Sequence, residues 1–213
     1  MQTTHAAHTA AAPGIRTTGW LLAVPLVIFV IWFAAAMTML SSAGVANSAD
    51  LTPAQMSTVR TGWLVIWPLY ALALLVGLVG LARLNRVLGQ ARWATAGHVA
   101  TAIAAVLITA YTVMMIVMAG FVEPRLGEHP WWDASLALSV VAGIAALAGT
   151  VLTAVGLRTS GYLRRTGTVM AVVGGLLLVL NVVAWGAVPP FLPALLWLVI
   201  GVAVLRRPVT SPS

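Results

Sequence analysis

Residues 97–121 read GHVATAIAAVLITAYTVMMIVMAGF, a stretch with no Asp, Glu, Lys or Arg. A helix rises about 1.5 Å per residue, so roughly 20 residues cross the ~30 Å hydrocarbon layer of a bilayer. This stretch exceeds that length, and its polar members are small hydroxyls with one His near its start. Five more apolar runs surround it, at 20–40, 62–82, 134–157, 168–188 and 189–205. The last is the shortest and spans only with local thinning or help from its flanks. The sequence therefore predicts an all-α membrane protein, a bundle of six transmembrane helices with short loops.

Composition points the same way. Hydrophobic residues make up 61% of the chain and charged residues 7%, where soluble domains carry about 25% charged residues. A formal net charge of +7 invites a nucleic-acid reading, since basic proteins bind phosphate backbones. The arginines instead occur in twos and threes at the ends of the apolar runs, which excludes nucleic acid as a partner and leaves membrane lipid. Every basic residue is Arg, so no lysine is present for Schiff-base chemistry. Cysteine is absent, which excludes disulfides and thiolate ligands.

Charge between the runs sets an expected orientation, because cytoplasmic loops retain Arg and Lys. With an inside amino terminus, Arg16, Arg83, Arg86, Arg92, Arg158, Arg164, Arg165, Arg206 and Arg207 are cytoplasmic. Only Arg60 and Arg125 then lie outside, together with all four acids, Asp50, Glu123, Glu128 and Asp133. Both termini are expected to be cytoplasmic and the bundle to sit in the cell membrane. Residues 1–19 read as a mobile cytoplasmic tail and 206–213 as a second one. Small residues at 43–49 after the first run also suit a cleaved signal, but that run is long for a signal and carries Trp32 and Phe33. A retained first helix is the expectation.

Tryptophan follows the same frame. Trp20, Trp63, Trp67, Trp93, Trp131, Trp132 and Trp185 fall near run ends, where interface anchoring is expected, and Trp32 and Trp197 fall deeper. In the 41–61 connection, Leu51-Thr52-Pro53-Ala54-Gln55 suggests a short helix with Thr52 as N-cap and Pro53 in its first turn. The 83–96 segment either continues the second helix or lies on the surface as a basic amphipathic piece. The short 186–190 link predicts that the fifth and sixth helices are antiparallel neighbours. A weak echo, Val79-Gly80-Leu81-Ala82-Arg83 against Val155-Gly156-Leu157-Arg158, leaves open a duplication of helical hairpins.

Lipid tails are as apolar as Leu, so close approach of small residues and interhelical hydrogen bonds must hold such helices together. At a spacing near 3.6, His98, Thr101, Ala105, Thr109 and Thr112 share a face of helix three. Ser135, Ser139, Ala142, Ala146, Thr150 and Thr153 do so on helix four, Tyr70, Ala73, Gly77 and Gly80 on helix two, and Gly167, Gly174 and Asn181 on helix five. These stripes are expected to face the bundle interior. The candidate polar lining is His98, Thr101, Thr109, Thr112, Ser139, Thr150 and Asn181, with interhelical packing the first reading of each. Asn181 stands out, since an amide has four hydrogen-bonding sites to satisfy. Pro25, Pro68 and Pro193 are expected to bend or loosen their helices.

Pumps and ion-coupled carriers keep ionisable groups at hydrocarbon depth. None of the runs has one near its centre, and His98 lies at the end of its run. Proton-coupled transport and paired-histidine haem are both disfavoured. The densest polar cluster runs from Glu123 to Asp133. Glu128, His129 and Asp133 offer metal or general-base chemistry in principle, but the spacing matches no helical metal motif and Pro124 and Pro130 keep it a connector. No catalytic residue, cofactor or metal site is expected. The reading is a non-catalytic structural or accessory membrane component, pairing with itself or a partner membrane subunit. The alternatives are a permease or channel for a small neutral or apolar solute, an ABC-type permease subunit included, and a membrane-embedded lipid-modifying enzyme acting through Glu128–His129–Asp133.

Overall fold

Thr52 and Pro53 decide where the second helix starts. The Gln55 N–H donates to the Thr52 hydroxyl at 3.4 Å, and the Thr52 N–H donates to the Gln55 side-chain oxygen at 3.0 Å. This reciprocal cap satisfies two donors that a helix start leaves unpaired, and Pro53 has no N–H to lose. No Gly or Pro interrupts the chain between Pro53 and Gly62, so the helix does not stop after one turn. It runs on as a single 35-residue element, Pro53–Val87. The separate short helix expected at 51–55 is instead the first turn of the second span.

The computed structural model describes residues 14–89, 92–186, 188–189 and 191–206. Within them every regular element is helical: α1 Ile15–Ser42, α2 Pro53–Val87, α3 Arg92–Met118, α4 Trp132–Thr159, α5 Arg164–Val183 and α6 Phe191–Leu205. Single 3-10 turns lie at Ser48–Asp50 and Leu126–Glu128. Helices α1 to α5 are each long and apolar enough to cross a membrane. With 15 residues, α6 reaches about 22 Å, short of the ~30 Å hydrocarbon layer. The protein is an all-α membrane bundle.

Several helices outrun their apolar runs, with consequences for depth. Because α2 starts early, Trp63 lies about 15 Å along it and is not an interface anchor. It is 1% exposed, and its Nε1–H donates to the Met115 carbonyl at 2.8 Å. Met115 is near the end of α3, where helix carbonyls run out of intrahelical partners. Trp67 is buried one turn further in, stacked edge-on against Tyr111 at 5.4 Å. Trp20, Trp131 and Trp185 do stay exposed.

Of the expected tail at 1–19, residues 15–19 belong to a helix. Helix α1 begins at Ile15, and Thr18 and Gly19 are already buried. A methyl at Gly19 would lie 2.6 Å from Leu205 Cγ, and one at Gly201 would lie 2.6 Å from the Gly19 carbonyl oxygen. Two glycines thus let α1 and α6 cross with their backbones almost touching. Residues 1–13 and 207–213 lie outside the described residues.

That crossing settles the circuit of helices. Each of α1 to α5 packs against the next in sequence, and α6 returns to pack chiefly on α1. Helices α5 and α6, expected from the short 186–190 link to be neighbours, meet only in a thin seam. Helix α5 buries a single narrow stripe, Gly167, Met170, Gly174 and Asn181, against the bundle.

The connections are spare at both ends. At the arginine-bearing end, α2 and α4 stop alike. The N–H of Leu88 bonds to the Leu84 carbonyl and that of Ser160 to the Gly156 carbonyl, each at 3.0 Å. Gly89 (φ 79°) and Gly161 (φ 73°) then turn the chain in the left-handed region that favours glycine. Within the 83–96 segment, residues 83–87 continue α2 and residues 92–96 open α3. At the other end, the Leu126 N–H donates to the Leu51 carbonyl at 2.9 Å, tying the 41–52 and 119–131 connections into a cap.

A chamber within the bundle

The interior stripe of α4 becomes one wall of a cavity of about 100 Å³. Helix α2 contributes Tyr70, α3 Tyr111, α4 Ser139 and Gly143, α5 Asn181 and α6 Pro193. Its remaining lining is apolar, including Leu74, Ile108 and Ala146. Gly186 and Val188, from the α5–α6 connection, complete it. Pro193 sits in the first turn of α6, where a missing N–H costs the helix nothing, so it shapes the wall rather than breaking the helix.

Below the chamber Trp197 closes the bundle. Its side chain is fully buried, and its six-membered ring lies where a Cβ at Gly77 would have to go. Its Nε1–H donates to Thr150 Oγ1 at 2.8 Å, and that hydroxyl donates to the Ala146 carbonyl at 2.8 Å. The relay binds α6 to α4.

The residues proposed from sequence separate into distinct environments. Ser139 and Asn181 line the chamber. Ser139 is half-buried and spends its hydroxyl on the Leu136 carbonyl at 2.8 Å. Thr150 is held by Trp197 just beneath. Thr101 is buried and donates to the Gly97 carbonyl at 2.7 Å. A methyl at Gly149 would lie 2.9 Å from its oxygen, so Thr101 marks a close α3–α4 contact away from the cavity wall. Thr112 is buried with its hydroxyl enclosed and unpaired among the described residues. His98 is half-buried at the arginine-bearing end of α3, its Nδ1 enclosed and likewise unpaired. Thr109 differs from expectation. It is exposed and donates to the Ala105 carbonyl at 2.8 Å. The buried face of α3 runs through Gly97, Thr101, Ala104, Ile108, Thr112 and Met115, which turns Thr109 about 100° away from Ile108 toward lipid.

Tyr111 escaped the sequence reading because it adjoins Thr112 and breaks the stripe of small residues. A tyrosine in mid-span is itself a signal, since its hydroxyl must find a polar neighbour. It joins Phe29, Trp32, Trp67 and Tyr70 in one aromatic cluster, with the Tyr70 and Tyr111 rings 6.0 Å apart.

In the 123–133 connector, His129 Nδ1 accepts from the Trp131 N–H at 3.1 Å, and the two rings meet edge-on at 5.6 Å. Among the described residues no group of three or more His, Cys, Asp or Glu side chains stands close enough to hold a metal ion. Neutral hydrogen bonding is thus the chemistry that the chamber offers. No family model, curated protein or solved structure matches the chain.

Proposed function

We propose that this protein is a non-catalytic, multi-pass component of the cell membrane, an accessory subunit that assembles with itself or with another membrane protein. The observation that supports this reading most is where the buried polar side chains go. Thr101, Thr150, Thr153 and Ser135 donate to carbonyls of their own helices. Trp63 and Trp197 bridge helices. The hydroxyls are thus satisfied within their own helices and the two indoles join helices, as expected of a bundle whose task is to be a stable membrane body. Clustering of Arg83, Arg86, Arg92, Arg158, Arg164 and Arg165 about one set of turns supports an orientation with both termini cytoplasmic.

A carboxyl-terminally tagged chain tests both parts. The tag should become accessible to antibody only after the cells are permeabilised. In mild detergent it should retain a stoichiometric partner or a second copy. Solitary monomers under every mild condition would remove the accessory reading.

A solute-passage reading draws on the chamber itself. Trp197, fully buried and bonded to Thr150 one turn further along α6 and α4, weighs against it.

A further inference from the structure

Asn181 is 3% exposed and Tyr70 is 8% exposed, and both line the cavity. Among the described residues, no side-chain hydrogen bond of Asn181, Tyr70 or Tyr111 is seen, and their polar atoms are not among those fully enclosed without a partner. An amide brings two donors and two lone pairs, and those of Asn181 sit beside the cavity rather than sealed in protein. A residue serving helix cohesion would meet a partner across the gap. The wall facing Asn181 instead includes Gly143, where an added Cβ would stand 3.3 Å from Nδ2. Gly143 gives the amide room and offers it no side chain to bond.

We infer that this chamber is a binding site for one small neutral molecule carrying an amide, carbonyl or hydroxyl group. Asn181 is its principal hydrogen-bonding residue, and the two phenols are its second and third. Size follows from volume. A cavity of about 150 Å³ in another protein accommodates benzene, so about 100 Å³ holds on the order of four non-hydrogen atoms. Neutrality follows from the lining, which contains no charged side chain; an ion there would be buried without compensation. Leu74, Ile108 and Ala146 suit an apolar body. This inference is independent of whether the chain assembles with a partner.

The chain contains three asparagines, Asn47, Asn85 and Asn181, which permits a direct test on the full-length protein. With ¹⁵N-asparagine labelling, the side-chain amide spectrum reports an exposed control, a buried control and the chamber. Titration with acetamide should move the Asn181 pair along a saturating curve at millimolar concentration, while the exposed Asn47 follows only bulk solvent and the enclosed Asn85 stays still. Tyr111→Phe, which removes one oxygen, should weaken that saturation about three- to tenfold. An Asn181 signal that drifts linearly with Asn47, or stays still with Asn85, would overturn the proposal. An unchanged midpoint in Tyr111→Phe would equally overturn the assignment of the ligand to this chamber.

Discussion

Gly77 and Trp197 show how a single residue acts in a bundle that the hydrophobic effect does not hold together. Leu and Gly partition into a lipid-like interior on either side of a helix, so a change between them reports packing more than transfer. The Trp197 ring occupies the space above Gly77, and the indole cannot move aside without giving up its bond to Thr150. Gly77→Leu should therefore destabilise the protein by about 1–3 kcal/mol or more, the range for overpacking a filled core. Gly175, one of a glycine pair on α5, has nothing within 4 Å of a would-be Cβ. Gly175→Leu should leave the unfolding transition in detergent almost unmoved. Equal losses in the two variants would mean that Trp197 does not sit on α2 as described.

At the scale of the helix, α2 demonstrates both what a linear sequence reveals and where it stops. Thr52, Pro53 and Gln55 carry a local signal, because a cap is made by residues three apart and needs no distant neighbour. Thr52→Ala should cost about 1 kcal/mol, seen as faster hydrogen exchange confined to the first turn after Pro53, with later amides unaffected. Uniform exchange along α2 would show that the cap does not govern that end. The stripes on α2, α4 and α5 were legible for a similar reason: Ala146, Gly174 and Thr150 are the small or polar positions in otherwise bulky runs, and small residues mark close approach. Helix α3 was harder, because Ala and Thr occur on several of its faces and two rotations fit nearly as well. Thr109 fell on the wrong side of that ambiguity. Trp63 and Trp67 resemble anchors only if α2 begins at the apolar run, so their burial depended on a helix start placed one loop earlier. For the chamber, Asn181 was visible as a polar residue in an apolar run. That Gly143, Tyr70 and Tyr111 would surround it depends on contacts across the bundle, which no spacing along one helix encodes.

For the whole molecule, the decisive contact joins the first helix to the last. Sequence neighbours pack side by side through α5, and the chain then returns α6 to α1 instead of adding it to the outside of α5. Ring closure gives α1 its structural weight: Leu22 is fully buried and Phe29 is 3% exposed. It also leaves the α5–α6 seam as the thinnest wall beside the chamber. The absence of native cysteine makes the closure directly testable. A Cβ at Gly19 would lie 2.6 Å from Leu205 Cγ, so a cysteine at each position, with the leucine branch removed, brings the two Cβ atoms near the ~3.8 Å separation of a disulfide. Gly19→Cys with Leu205→Cys should oxidise under mild conditions, protecting both thiols from a maleimide-polyethylene glycol reagent until reductant is added. A control pair, Gly19→Cys with Gly175→Cys, should stay reduced and, once both proteins are denatured in sodium dodecyl sulfate, take up the reagent at both sites. If the first pair labels as fully as the control after oxidation, α1 and α6 are not neighbours, and the closed ring behind the chamber fails with them.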